Sequence, residues 1–149
     1  MSRVRMRRIR VVVGVVVLAI SALLVMGCAK KKKEPTYGDA LARAIQEGKA
    51  SGARGDLQAI AIAITTLVGN EGNIPDASTI DELAARIEPT YLHRVQRTDP
   101  WGTPYGYWQD GSSYKLLCAG KDKIFGNEDD MEITDGQVTK MPASYQHFK

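Results

Sequence analysis

The sequence contains few of the residues from which hydrolytic and metal-dependent enzymes build catalytic sites. Its two histidines, His93 and His147, have no partner at H-x-x-x-H spacing, and no C-x-x-C pair is present, so the common zinc-binding patterns are missing. A G-x-S-x-G nucleophile motif and a glycine-rich phosphate loop are also absent. We therefore expect a non-enzymatic protein without a small-molecule substrate or an organic cofactor.

Cysteine is scarce as well, because the chain has only Cys28 and Cys118. Residues Leu24–Cys28 resemble a bacterial lipobox, in which a small residue precedes the cysteine that is acylated and becomes the mature N-terminus. An acylated Cys28 has no thiol left for a disulfide. Free cysteine is among the most often buried residue types, so we expect Cys118 in the core, with a reactive thiol or an intermolecular bridge as the alternative.

The segment 1–27 has the composition of a lipoprotein signal peptide. Five arginines lie between residues 3 and 10, and the apolar run Val11–Met26 follows them. As a helix, those 16 residues would span about 24 Å, which is shorter than a bilayer core of about 30 Å. We expect cleavage before Cys28 and a mature chain that is lipid-anchored to the bacterial membrane, on the periplasmic face.

Without its first 27 residues the chain has 122 residues and no excess of positive charge. Five of the 20 Lys and Arg lie in the removed segment, so 15 remain against 17 Asp and Glu, a formal net charge of −2. The sequence pI near 8.9 therefore reflects the signal peptide and gives no ground for a nucleic-acid partner. A chain of this length suffices for one small domain.

Residues 28–55 are predicted to form a lipid-anchored polar linker that is partly helical at most. Lys30–Lys33 serves there either as a soluble tether or as an attraction to an anionic bilayer surface, worth about 1 kcal/mol per lysine. Ala29 stands after Cys28 in place of an aspartate, which resembles the rule for sorting to the outer membrane. The choice between inner and outer membrane stays open.

The globular domain is predicted over 56–149, beginning with a helix capped by Asp56. Apolar residues then recur at helical spacing, at Leu57, Ile60, Ala61, Ile64, Leu67 and Val68. Gly69–Asn73 ends this helix with C-cap residues. A capping box at Thr79–Glu82 predicts a second, short helix that Pro89 closes.

The sequence of the C-terminal half predicts antiparallel strands. Tyr105–Trp108 and Tyr114–Cys118 carry strand-forming residues around a hairpin turn at Gln109–Ser112. Ile133–Val138 is expected to add a final strand with a turn or bulge at Asp135–Gly136, and the tail after it gives no clear pattern.

The loop after the hairpin concentrates negative charge. It has five carboxylates in eleven residues, at Asp122, Glu128, Asp129, Asp130 and Glu132. Ca²⁺ binds about six to eight oxygens from carboxylates and main-chain carbonyls, and this loop offers both. The EF-hand pattern is absent. Composition alone leaves a solvated acidic turn open as the alternative.

Several motifs of this half resemble the C-terminal globular domain of the major pseudopilin of type II secretion systems. They are Tyr91–Arg94, the string Thr98–Tyr105, and the pair Ala119–Asp122 and Asp129–Ile133. That family has a DPWG-x-PY turn followed by a G-x-D…D-x-D-I calcium loop. Over roughly 56–133, the resemblance implies an α+β fold, an N-terminal helix packed on a small antiparallel sheet with a structural Ca²⁺ and no catalysis.

The resemblance also implies which residues bind the Ca²⁺. Asp122 and Asp130 match the family's aspartates, whereas Glu132 stands where an aspartate is usual. Asp129, beside Asp130, is the alternative ligand. The candidate metal ligands are therefore Asp122, Asp129, Asp130 and Glu132.

The N-terminus departs from the pseudopilin pattern. Family members carry a glycine cleavage site followed by Phe, with a Glu five residues in, but Val15 follows Gly14 here and Ala19 stands at the Glu position. We expect a pseudopilin-like domain on a lipid anchor, acting as an accessory or interaction module of a secretion or pilus-like system. The alternative is a stand-alone envelope lipoprotein that binds an unrelated partner.

Overall fold

The computed structural model describes residues 36–142 and Tyr145, so the predicted signal peptide, Cys28 and the lysine run lie outside the described residues. Two helices and a four-stranded sheet form in this part of the chain: α1 (Tyr37–Glu71), α2 (Ile80–Ile87), β1 (Gly106–Gln109), β2 (Tyr114–Cys118), β3 (Met131–Thr134) and β4 (Gln137–Lys140). The α+β prediction of a helix on a small antiparallel sheet is confirmed.

The sheet is an antiparallel meander in the order β1-β2-β3-β4. Its register places Tyr107 opposite Leu116 and Leu116 opposite Ile133, and all three side chains are buried. In β1, β2 and β3, alternate residues are therefore buried against the helices, with α1 on β2 and β3 and α2 on β1, as the two-residue period of a strand requires. The predicted hairpin is confirmed as β1 and β2, which the turn at 110–113 joins.

Helix α1 has two parts with different surroundings. From Ala50 onward one face is buried in the core, including Leu57, Ile60, Ile64 and Leu67. The turns before Ala50 are largely exposed and carry exposed apolar side chains. No helix in the described part of the chain has an apolar stretch long enough to cross a membrane.

The prediction that this helix begins at Asp56 is wrong, because α1 begins at Tyr37 and continues through three glycines, Gly48, Gly52 and Gly55. A glycine within a helix costs about 1 kcal/mol relative to alanine, which alanines and tertiary contacts can offset. Trp101 Nε1 donates to Gln46 Oε1 at 2.8 Å, so a distant residue binds this part of the helix.

Helix α2 begins as its capping box predicts. Thr79 Oγ1 accepts a hydrogen bond from the Glu82 N–H at 3.2 Å, and the Glu82 carboxylate accepts one from the Ser78 N–H at 2.7 Å. The helix ends at Ile87, ahead of Pro89. Its apolar face is buried beside α1 and β1.

The predicted final strand is instead two strands, β3 and β4, joined at Asp135–Gly136. Both turn residues have positive φ, 48° and 81°, as in the two-residue turns that match the twist of a hairpin. The Asp135 carboxylate also accepts hydrogen bonds from the Tyr114 N–H and the Ser113 hydroxyl. The chain therefore turns back after Thr134, and β4 brings Lys140 beside the acidic loop.

Candidate metal-binding loop

The DPWG string forms a tight turn around the buried carboxylate of Asp99. Asp99 Oδ1 accepts hydrogen bonds from the Trp101 N–H at 2.9 Å and the Thr103 N–H at 2.8 Å. Gly102 has a φ of 90°, which favours glycine at this position. Because the Trp101 side chain also donates to α1, the turn is fixed to the helix.

The same carboxylate contacts the start of the acidic loop. Cys118, the last residue of β2, donates its thiol hydrogen to Asp99 Oδ2 across 3.5 Å. Burial, together with a smaller contribution from the nearby Asp99 carboxylate, raises the pKa of the Cys118 thiol to about 12. Cys118 is fully buried, which confirms its predicted place in the core.

Asp122 and Asp129 turn their carboxylates toward nearby donors of the loop. Asp122 Oδ1 accepts from the Ile124 N–H at 2.9 Å, and its Oδ2 from Asn127 Nδ2 at 2.7 Å. Asp129 Oδ2 accepts from the main-chain N–H groups of Lys121 and Asp122, at 2.6 Å and 3.1 Å. These bonds fold the second half of the loop back onto its first half.

Gly120 makes this close approach possible. Its φ is 71°, and a Cβ at this position would lie 2.7 Å from Asp129 Oδ2, closer than real contacts allow. A side chain would therefore displace Asp129 as well as strain the backbone.

Asp130 is the most buried carboxylate of the loop, at 3% exposed. Its Oδ2 accepts from the Gly126 and Asn127 N–H groups at 2.7 Å and 3.1 Å. Its Oδ1 is buried without a hydrogen-bond partner among the described residues. An unsatisfied buried oxygen of this kind is rare in folded proteins and is a position that a cation would satisfy.

Glu132 lies on β3 and takes part in a different set of contacts. Its carboxylate accepts hydrogen bonds from the Thr139 and Thr134 hydroxyls at 2.8 Å and 3.0 Å, and it lies 3.7 Å from Lys115 Nζ. The Thr139 bond is the largest of the contacts that lower its pKa. The network that joins Asp122, Asp129 and Asp130 does not include this side chain.

Asn127 links the three aspartates and was not among the predicted site residues. Its amide donates to Asp122, its main-chain N–H to Asp130, and its side-chain oxygen accepts from the Asp129 N–H at 2.8 Å. Asparagine forms such local bonds in turns, and that preference was the sequence signal available.

Lys140 is the second residue that the sequence analysis did not include. Its ammonium donates to the main-chain oxygen of Asn127 and lies 3.4 Å from Asp130 Oδ2. Among the residues that the structure describes, the positive charge paired with the buried carboxylate therefore comes from β4.

The donor set of the loop has the chemistry of a hard cation site, with aspartate oxygens, a main-chain carbonyl and an unsatisfied Asp130 Oδ1. In the described residues, however, no three Asp, Glu, His or Cys side chains are arranged together around one point that could hold an ion. The aspartate carboxylates are instead directed at N–H donors, and the Lys140 ammonium is paired with Asp130.

Comparison with known families gives one match. The model for type II secretion system (T2SS), protein G, matches residues 40–136, well over half of the chain. No significant match was found among curated proteins or among solved structures. The matched range includes all but the first three residues of α1, together with α2, the DPWG turn, the acidic loop and β3, and it ends just before β4. The chain therefore belongs to the type II secretion system protein G family.

Proposed function

We propose that the protein is a non-enzymatic component of the bacterial cell envelope and an accessory or interaction module of a type II secretion or pilus-like system. The family match over residues 40–136 carries this proposal, because it covers most of the folded domain. The family is a structural part of the secretion machinery and not a family of enzymes.

The proposed membrane attachment is an acylated Cys28, supported by the lipobox-like residues Leu24–Cys28. An anchor of this kind distinguishes the protein from subunits that are processed at a glycine and assembled through their N-terminal helix. The sequence around Gly14 gives a further reason, since neither the following Phe nor the Glu is present. The protein is therefore assigned an accessory role and not that of the main repeating subunit.

The exposed half of α1 is the proposed contact surface for the secretion machinery. Tyr37, Leu41 and Ile45 recur every four residues and are 86%, 50% and 51% exposed. Residues at this spacing lie on one face of a helix. The stripe begins nine residues after Cys28, so it is the part of the domain nearest to the anchor along the chain.

We also propose that the acidic loop binds Ca²⁺ through Asp122, Asp129 and Asp130, with Glu132 as a fourth candidate ligand. Support comes from the oxygen donors of the loop and from the partnerless Asp130 Oδ1. The ion would neutralise the crowded carboxylates and connect the end of β2 to the start of β3. The aspartates would have to exchange some of their present N–H partners to bind it.

The secretion role is tested by deleting the gene in the producing bacterium. We expect lower secretion of type II substrates, restored by the wild-type gene but not by Cys28→Ser or by Leu41→Asp combined with Ile45→Asp. Ile62→Asp is the matched control, since Ile62 is exposed on the same helix outside the stripe. Unchanged secretion after deletion would contradict the proposal and favour a stand-alone envelope lipoprotein with an unrelated partner.

A further inference from the structure

Lys140 extends its side chain over the acidic loop. Its ammonium contacts one main-chain oxygen, of Asn127, and one carboxylate oxygen, of Asp130. A carbonyl together with a carboxylate is also the pair of donors that a hard metal ion uses. Residue 140 lies beyond the family match, which ends at residue 136.

The buried carboxylate needs a positive charge. Burial of an ionised carboxylate is costly unless the charge is paired, and Asp130 is 3% exposed. Lys121 and Lys123 of the same loop are exposed, and Lys115 lies beside Glu132. The ion pair that Asp130 forms within the described residues is the one with Lys140.

Lys140 also stabilises the conformation in which the aspartates face N–H donors. Asn127 joins all three aspartates, and the ammonium binds the main-chain oxygen of this same residue. Removing the ammonium would leave both the Asn127 carbonyl and the Asp130 carboxylate without their cation. The contact therefore acts on the whole loop and not on one side chain.

We propose that the Lys140 ammonium is the cation that orders this loop when no metal is bound, and that Ca²⁺ binds the Asp130 carboxylate and the Asn127 carbonyl only after the ammonium has moved away from them. The second half rests on the proposed Ca²⁺ binding, whereas the first half does not. Two cations on these oxygens would repel each other at short distance, so the ammonium opposes the binding of a metal ion. Lys140 thus sets how strongly the loop responds to Ca²⁺.

The first test measures the loop in chelator, with full-length protein purified in detergent. Lys140→Met keeps most of the unbranched side chain and removes its charge, and we expect its Tm to fall by about 5 °C or more. Lys121→Met is the control, because it also removes one positive charge from the loop. Lys121 bonds Asp129 through its main-chain N–H, which the substitution keeps, so the Tm should change by less than about 1 °C. Lys140→Arg keeps the charge and should stay near the wild type.

Hydrogen exchange gives a local readout of the same contact. The Gly126 and Asn127 amides are bonded to Asp130 Oδ2, so their exchange in chelator should be faster in Lys140→Met and unchanged in Lys121→Met. Calorimetric titration with Ca²⁺ should then show roughly tenfold tighter binding to Lys140→Met than to the wild type.

The outcomes separate the two halves of the proposal. Equal Tm and equal exchange of Lys140→Met and wild type in chelator would overturn it, as would a Lys140→Arg protein that loses as much as Lys140→Met. Equal Ca²⁺ affinity of Lys140→Met and wild type would overturn the competition with Ca²⁺. If neither protein binds Ca²⁺ but Lys140→Met is destabilised, the calcium part of the proposed function fails and the role of Lys140 in ordering the loop stands.

Discussion

Trp101 Nε1 donates a hydrogen bond to Gln46 Oε1 at 2.8 Å, which connects residues that lie 55 positions apart in the chain. Trp101 is in the DPWG turn and Gln46 is in the half of α1 that precedes the core. The bond therefore fixes this half of α1 to the turn that contacts the start of the acidic loop.

Trp101→Phe should weaken this connection. The variant keeps an aromatic ring but loses the N–H donor, and we expect the free energy of unfolding to fall by about 1 kcal/mol, measured by chemical denaturation. Exchange of the amides in residues 37–49 should become faster. Trp108→Phe is the control, since Trp108 is 48% exposed on β1. Equal losses in the two variants would contradict the role of the Gln46 bond.

Gly120→Ala should destabilise the protein by more than the backbone strain of a positive φ alone. At Gly120 a Cβ would meet Asp129 Oδ2 at 2.7 Å, whereas at Gly111, with a φ of 85°, it would meet no described atom within 4 Å. The strain of the left-handed conformation, about 1 to 2 kcal/mol, is common to both. The free energy of unfolding should therefore fall further for Gly120→Ala than for Gly111→Ala, and equal changes would argue against the close approach of Asp129.

Stability should fall at alkaline pH partly because of Cys118. Its pKa is raised in the folded state from an ordinary value near 9 to about 12, so the unfolded chain releases this proton first. The contribution is fully present below about pH 9 and is lost as the pH rises toward 12. The Tm of Cys118→Ala should decline less steeply than that of the wild type from about pH 9 upward. Parallel declines would show that the thiol is not held protonated by burial.

The mature protein should begin at an acylated Cys28. Mass spectrometry of the membrane fraction is expected to find a lipid-modified N-terminal cysteine, because residues 24–28 resemble a lipobox. Cys28→Ser should accumulate uncleaved or in the soluble fraction. A mature protein that retains residues 1–27, or that is cleaved after Gly14, would contradict the lipid anchor.

Local chemistry was enough to predict several elements from the sequence. The capping box of α2, the hairpin of β1 and β2, and the turn at Asp135–Gly136 each depend on residues close together in the chain. The hydrogen bonds that bring Asp122, Asp129 and Asp130 together are also local, since these residues lie within nine residues of one another, whereas their binding of Ca²⁺ stays a prediction. Such elements can be predicted because the contacts that form them join residues only a few positions apart in the chain.

Features that depend on distant contacts could not be predicted in the same way. Gly48, Gly52 and Gly55 locally disfavour a helix, and the bond from Trp101 that supports it is not visible in the sequence pattern. Lys140 reaches the loop because the chain turns back after β3. By contrast, the direction of Glu132 follows from the alternation of β3, where Met131 and Ile133 face the core.

The response of the protein to Ca²⁺ tests the account of the acidic loop most directly. The measurement is the Tm of the full-length protein in millimolar Ca²⁺, in Mg²⁺ and in chelator. A ligand at about 100-fold above its Kd stabilises the folded state by about 2.7 kcal/mol, which corresponds to a shift on the order of 10 °C for a domain of this size. Mg²⁺ should act much less, because its octahedral geometry suits an all-protein site poorly.

Variants assign that shift to the loop. Asp122→Ala and Asp130→Ala should abolish the difference between Ca²⁺ and chelator, whereas Glu128→Ala, an exposed carboxylate of the same loop, should keep it. The account predicts a higher Tm in Ca²⁺ that depends on these two aspartates. A wild-type Tm that is the same in Ca²⁺ and in chelator would contradict it and leave the loop as a solvated acidic turn.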